Sequence, residues 1–345
     1  DFDIDVHLHR MALAPGAGWE DVLLEARRMS LTDFDHDRPL WEAVLITGLE
    51  GDRSALIVKL HHAIADGQAA VMIGAQLFEF TPQGNPDEPL APPPPTAAVA
   101  SLSEVSRANV ADNLRRVLDA TTTGAKLMLG LAAGTVKDPA GTWSQALEMV
   151  GSVGRFTAVP DGPLSPIMGE RATTYHFATF DLPFATIRAA AKGRGATVND
   201  VFMASVSTGM ARYHERHGAA APELRVNLPI WMRKAAMDGS AANAVTIARF
   251  PLKVSGVSVQ ERIDSANRQV KRWREEPALM LTNPLADVSW LVPVPVLVSA
   301  AQASDVTTSN VPGPPIPLYL VGSRVVGMWP LVATIGAGVN ITMVT

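Results

Sequence analysis

With 345 residues the chain is long enough for two domains of ordinary size, each with its own core. Apolar residues make up 47% and charged residues 18%, yet no apolar run approaches the roughly eighteen residues of a bilayer-spanning helix, so no span is expected. The net charge of −5 is mixed along the chain and cysteine is absent. This excludes a basic nucleic-acid footprint, disulfides, thiolate metal sites and a cysteine nucleophile.

No signal peptide opens the sequence at Asp1, which points to the cytoplasm. Asp21 to Met29 has amphipathic helical spacing, and Ala43–Thr47 and Ala55–Leu60 read as strands joined by a turn at Gly48–Gly51. From Gln68 to Phe80 the apolar residues recur at helical spacing, with Asp66 and Gly67 just ahead of the run. Thr81 to Pro95 is proline-rich and reads as an extended surface linker or crossover. Ser101 to Gly134 reads as weakly patterned helix, whereas Asp138 to Gly169 is rich in Gly, Pro, Ser and Thr and reads as an irregular loop. Strands are expected at Thr173–Leu182, Arg225–Ile230, Val245–Leu252, Tyr319–Val326 and Val339–Val344. Helices are expected at Phe184–Gly193, Val198–Arg216 and Val259–Arg274. The tract Trp290–Ala301 is too short to cross a bilayer, so it is either a buried segment or a lipid-facing surface. The sum is a mixed α/β chain in two halves.

The sharpest chemical signal is His61-His62-Ala63-Ile64-Ala65-Asp66-Gly67, between an apolar strand and a helix. A histidine at such a junction can offer one ring nitrogen to a cavity while the protein holds the other. A free imidazole near pKa 6.5 is then able to take a proton from a hydroxyl at neutral pH. Bland readings stand beside this one. A histidine pair also occurs as ordinary core or surface residues, and Asp66 as a helix cap. Zinc ligation needs further ligands, and His7, His9 and His36 stand at no recognised spacing from the pair. Likewise Asn199 and Asp200 read either as a cap or as part of a site. Ser309 and Asn310, before Val-Pro-Gly-Pro, read either as a turn or as oxyanion donors.

The HHAIADG segment resembles the HHxxxDG motif of the bacterial wax ester synthase/diacylglycerol acyltransferase family, within the chloramphenicol-acetyltransferase-like superfamily. Four further segments narrow the resemblance from the superfamily to the family. Pro39-Leu40-Trp41 is similar to its PLW element, Thr197-Val198-Asn199-Asp200-Val201 to its Asn-Asp motif, Ser309 to Pro314 to its SNVPGP segment, and Gly338 to Thr342 to its GLNIT stretch. The likeness runs from Asp1 to Thr345, and the family carries further residues on both sides. One departure is at Asn227–Arg233 (NLPIWMR), where the family has a PVSxR-like stretch and Trp231 replaces a small residue that would line a substrate channel.

The resemblance implies an α/β (α+β) fold of two similar domains, residues 1–135 and 171–345, with a crossover at 136–170 and a channel between them. It implies an O-acyltransferase that needs no cofactor, taking acyl-CoA as co-substrate and diacylglycerol or a long-chain alcohol as acceptor. His62 would be the base, His61 would support it, and Asp66 would be structural through an ion pair to Arg38 or Arg233. Gly67, Asn199, Asp200, Ser309, Asn310 and Trp231 would shape the substrate site. Same-superfamily alternatives are a carrier-protein acyltransferase, an enzyme with another acceptor, or a silent lipid-binding protein. Poorly soluble products imply work at a membrane or lipid-inclusion surface, with peripheral association on the cytoplasmic side.

Overall fold

A computed structural model describes residues 3–62, 64, 74, 76–84, 100–137, 139–158, 160–231, 245–278, 292–334 and 336–345. The first half is built on a three-stranded sheet, β1 (Leu8–Ala12), β2 (Trp41–Leu49) and β3 (Arg53–Leu60), in that spatial order. β1 and β2 run parallel, so a crossover must join them, and helix α1 (Trp19–Ser30) supplies it. Val22 and Met29 of α1 pack on Val44, Ile46 and Leu49 of the sheet, and Ala26, three and four residues from them, is buried on the same face of the helix. β2 and β3 form a hairpin in which Gly48, at an irregularity near the end of β2, and Gly51, in the turn, both take positive φ.

Two long helices follow, α2 (Leu102–Lys137) and α3 (Pro139–Thr157). The second occupies most of a stretch that composition reads as loop. Its glycines weaken helix propensity, but tertiary anchors offset this. The Ser152 hydroxyl accepts the Ala278 N–H at 2.7 Å, and Arg155 pairs with buried Glu276. Thr173–Leu182, expected as a strand, is not paired with any strand among the described residues. The segment keeps a strand-like alternation, with Tyr175, Phe177 and Thr179 partly buried between exposed neighbours. Side chains hold it instead: Trp19 Nε1 donates to Thr179 Oγ1 at 2.6 Å, and Trp329 Nε1 to Asp181 at 3.0 Å.

The second half centres on a four-stranded sheet of β4 (Glu223–Trp231), β5 (Val245–Lys253), β6 (Val306–Val311) and β9 (Val339–Val344), in the order β5-β4-β6-β9. Helix α4 (Phe184–Gly193) leads into α5 (Val198–Arg216). Helices α5 and α6 (Val259–Arg274) supply Phe202, Met203, Val206, Met210, Val270 and Trp273 to a core shared with alternate residues of β4 and β5. A two-stranded ribbon, β7 (Tyr319–Leu320) and β8 (Ser323–Arg324), is tied to the first half, where Glu79 and Tyr319 exchange both backbone hydrogen bonds at 2.8 Å.

The apolar tract after residue 290 forms helix α7 (Val294–Gln302), with no buried residue and with Val294 69% exposed. Of the two readings for that tract, burial is thus excluded for the helix. No helix among the described residues is long and apolar enough to cross a membrane. The SNVPGP segment is not a simple turn: Ser309, Asn310 and Val311 complete β6, paired with Thr342, Met343 and Val344 of β9.

Candidate active site

Strand register explains the spacing between the PLW element and the histidine pair. Trp41 opens β2 opposite Leu60, the last residue of β3. Leu40 therefore stands opposite His61, and its carbonyl accepts the His61 N–H at 3.0 Å, extending the ladder by one residue. His7 is buried here: its ring stacks on Trp41 at 4.7 Å and its Nδ1 donates to the Trp41 carbonyl at 2.8 Å. It is a structural histidine that fixes the start of β2.

The chain turns immediately after β3, with the Ile64 N–H on the His61 carbonyl at 2.9 Å. His61 is partly buried and meets Phe34 edge-on at 5.8 Å and His36 at 6.4 Å. Phe34 is in turn covered by Lys59, whose Nζ sits 4.1 Å from the ring centre and donates to the Thr32 carbonyl at 2.7 Å. His62 differs from its neighbour. It is exposed, and its ring makes no hydrogen bond among the described residues. One histidine of the pair is packed by the protein, and the other is presented at the end of the strand.

Asp66, Gly67 and Arg233 lie outside the described residues. The other arginine considered for Asp66, Arg38, is exposed and paired with Asp35 at 3.1 Å. Trp231 closes β4 opposite Val245. At the start of α5, Thr197 and Asp200 form a capping box: Asp200 accepts the Thr197 N–H at 2.9 Å, and Thr197 Oγ1 accepts the Asp200 N–H at 3.2 Å. Asn267 of α6 also donates to the Asp200 carboxylate at 2.9 Å, and Asp200 is only 2% exposed. Its carboxylate is thus committed to holding the helix start that carries Asn199.

Neighbouring strand residues face opposite sides of a sheet. Thr308 of β6 reaches Met203 of α5, so Asn310, two residues on, shares the helix-facing side, and Ser309 points the other way with Thr307. Asn310 carries a buried amide oxygen with no hydrogen-bond partner among the described residues, an unusual state for a buried polar atom. Among the described residues no cluster of three acidic or histidine side chains is arranged to hold a metal.

Sequence reading missed the polar anchors beneath this region. Buried Asp305, just before β6, accepts three backbone N–H groups, from Leu164 (3.0 Å), Ser165 (2.9 Å) and Arg225 (2.7 Å). The His214 Nδ1 donates to the Met210 carbonyl, so its Nε2 accepts the Ser165 hydroxyl at 2.8 Å. Arg171 caps the carbonyls of Met168, Gln302, Ser304 and Gly336. No motif announces these residues, because each acts on a main chain brought close only by folding.

Two family models match the chain. The wax ester synthase/diacylglycerol acyltransferase catalytic domain matches residues 1–202, and the C-terminal domain of the same family matches residues 241–345. A putative diacylglycerol O-acyltransferase of Mycobacterium tuberculosis is 29% identical over 341 residues, covering 96% of this chain and 68% of its own. A second from that organism is 25% identical over 363 residues, covering 99% and 73%. In fold, the chain resembles the wax ester synthase/diacylglycerol acyltransferase from Marinobacter aquaeolei VT8, with a TM-score of 0.60 at 23% identity over 100% of this chain and 72% of that one. The motif-bearing strand end and the mixed α/β architecture around it agree with these matches, and the chain belongs to the wax ester synthase/diacylglycerol acyltransferase family of O-acyltransferases.

Proposed function

We propose that the protein moves a long-chain fatty acyl group from acyl-CoA to diacylglycerol or a long-chain alcohol, with His62 as the general base. The observation that carries this reading is the exposed His62 ring at the end of β3, free of hydrogen bonds among the described residues. His62 takes the proton of the acceptor hydroxyl as its oxygen bonds to the thioester carbonyl carbon. The tetrahedral oxyanion collapses, the carbon–sulfur bond breaks, and CoA thiolate takes the proton back from His62. No acyl-enzyme is needed, in keeping with a chain that contains no cysteine.

His61 and Asp66 support the base, and Gly67, together with Asn199, held by Asp200, serves the substrate site. Asn310 serves the oxyanion: a half-turn of its amide exchanges the unpartnered oxygen for an N–H donor. Ser309 and Trp231 bound the substrate channel, which runs between a domain of residues 1–135 and one of 171–345, with 136–170 as crossover. Each acyl methylene buried there contributes about 0.8 kcal/mol. Product insolubility assigns the work to the cytoplasmic face of a membrane or a lipid inclusion, by peripheral contact.

The test is CoA thiol release from palmitoyl-CoA with dioleoylglycerol or hexadecanol as acceptor, with His62→Ala alongside. Acceptor-dependent release that disappears in the folded variant supports the reading and ranks the acceptors. Folded protein giving no release with either acceptor sinks it and moves the acyl donor to a carrier protein.

A further inference from the structure

The β5-β4-β6-β9 sheet has two unlike faces. Leu224, Val226 and Leu228 of β4 and Ala248, Phe250 and Leu252 of β5 enter the helix-covered core. The alternate positions carry Arg225, Asn227 and Arg249, with Asn227 directly opposite Arg249 across the strand pair. Asn227 is 4% exposed, and its Oδ1 accepts from Arg249 Nε at 3.2 Å and from the buried Ser304 hydroxyl at 2.8 Å. The Arg249 guanidinium is therefore aimed by a built polar shelf.

Its two terminal nitrogens make no hydrogen bond or ion pair among the described residues, although Arg249 is partly buried. Burial works against its charge, and the neighbouring Arg225 adds repulsion. Of the other charged groups on this face, Arg225 and Asp305 are engaged, while Glu223 and Lys253 stand opposite each other at the far end of the strand pair. Arg225 caps the Gly162 and Ala303 carbonyls, and Asp305 accepts three backbone N–H groups. A half-buried cation beside a second cation, with no carboxylate paired to it among the described residues, is a poor structural element and a good anion receptor. The planar fork of free donors fits the oxygens of a phosphate.

We propose that Arg249, oriented by Asn227 and Ser304, binds a phosphate oxyanion, and that this phosphate belongs to the CoA moiety of the acyl donor. The assignment rests on the acyl-CoA reading above. The thioester end of that donor engages His62, and its phosphates require a cation of their own.

The experiment is calorimetric titration of the full chain with CoA and with S-palmitoyl pantetheine, which carries the thioester but no phosphate. Inorganic pyrophosphate and phosphatidate vesicles are the other two probes. Arg249→Met is expected to weaken CoA binding about tenfold or more while S-palmitoyl pantetheine binds as in the parent. Without ligand, the variant is expected to melt no lower than the parent, because an unpaired cation has been removed. Unchanged CoA affinity in folded Arg249→Met overturns the proposal, as does an equal loss for CoA and S-palmitoyl pantetheine. Arg249-dependent binding of phosphatidate but not of CoA overturns the CoA assignment in favour of a lipid headgroup. Should Arg249→Met melt early, Arg249→Lys decides, since it keeps the charge without the fork: weaker CoA binding supports the proposal and parental binding overturns it. A parent that binds neither CoA nor the pantetheine thioester marks failure of the acyl-CoA reading itself.

Discussion

The two larger sheets among the described residues are built to different depths. Among the described residues, the β1-β2-β3 sheet rests on one helix and a core of five buried residues, Val22, Met29, Val44, Ile46 and Leu49. The outward positions of its last strand, Leu56 and Val58, are exposed. The β5-β4-β6-β9 sheet shares, among the described residues, a core of nineteen buried residues with helices α5 and α6, and its polar anchors are themselves buried. The histidine pair sits at the end of the thin sheet, while the thick one carries Asn310, Asn227 and Arg249. Chemistry that needs a presented ring is thus placed where packing demands little. Groups that must be held in fixed positions are placed where packing demands most.

The sharpest test of this contrast is His62→Ala. If the thin sheet only presents the ring, the acyltransferase rate falls about 10²–10⁴-fold, a barrier change of roughly 3 to 5 kcal/mol, and the melting temperature does not move. A variant that loses rate and melting temperature together would make His62 part of the packing and erase the distinction. On the thick sheet the opposite pattern is expected of Asp305→Ala. Three backbone N–H donors lose their acceptor, so unfolding free energy in urea should drop by about 3 kcal/mol or more. A drop under about 1 kcal/mol would mean that water replaces the carboxylate and that the region is less tightly closed than its burial implies.

Much of this division was legible in the sequence. Helices α4, α5 and α6 begin and end where periodicity and caps place them, and the His61-His62 pair follows the end of β3 as expected. What escaped has physical causes. Edge strand β1 is too short, and too mixed with His9 and Arg10, to alternate cleanly. Helix α3 hides behind its glycines because its anchors, Ser152 and Glu276, are supplied from outside the helix. Asn310 reads as a turn residue before Val-Pro-Gly-Pro, and only pairing with β9 shows it as a strand residue with a buried amide. Arg249 did leave a trace, as the lone charge inside the apolar run VTIARFPL.

A middle-sized effect probes how the thick half aims Asn199. Thr197→Ala removes the hydroxyl that caps α5 and should cost about 1 kcal/mol in urea unfolding. Asp200 keeps its bond from Asn267, so the helix start stays close to its place, and the acyltransferase rate should fall by less than about threefold, under 0.7 kcal/mol of barrier. A loss of rate larger than the loss of stability would make the cap itself part of the aiming device.

The smallest effect is the most discriminating for the thin sheet. Val58 points away from the small core and is 42% exposed, so Val58→Thr keeps the β-branched shape and adds a hydroxyl where water can reach it. Stability should change by no more than about 0.5 kcal/mol, as for other surface substitutions. In a closed core the same change would bury an unpartnered hydroxyl and cost about 1–3 kcal/mol, because valine and threonine are not interchangeable there. A cost in that range, read by urea titration, would mean that this face is covered in solution. The first sheet would then be a two-sided layer, and the shallow packing behind His62 would no longer explain why its ring is free.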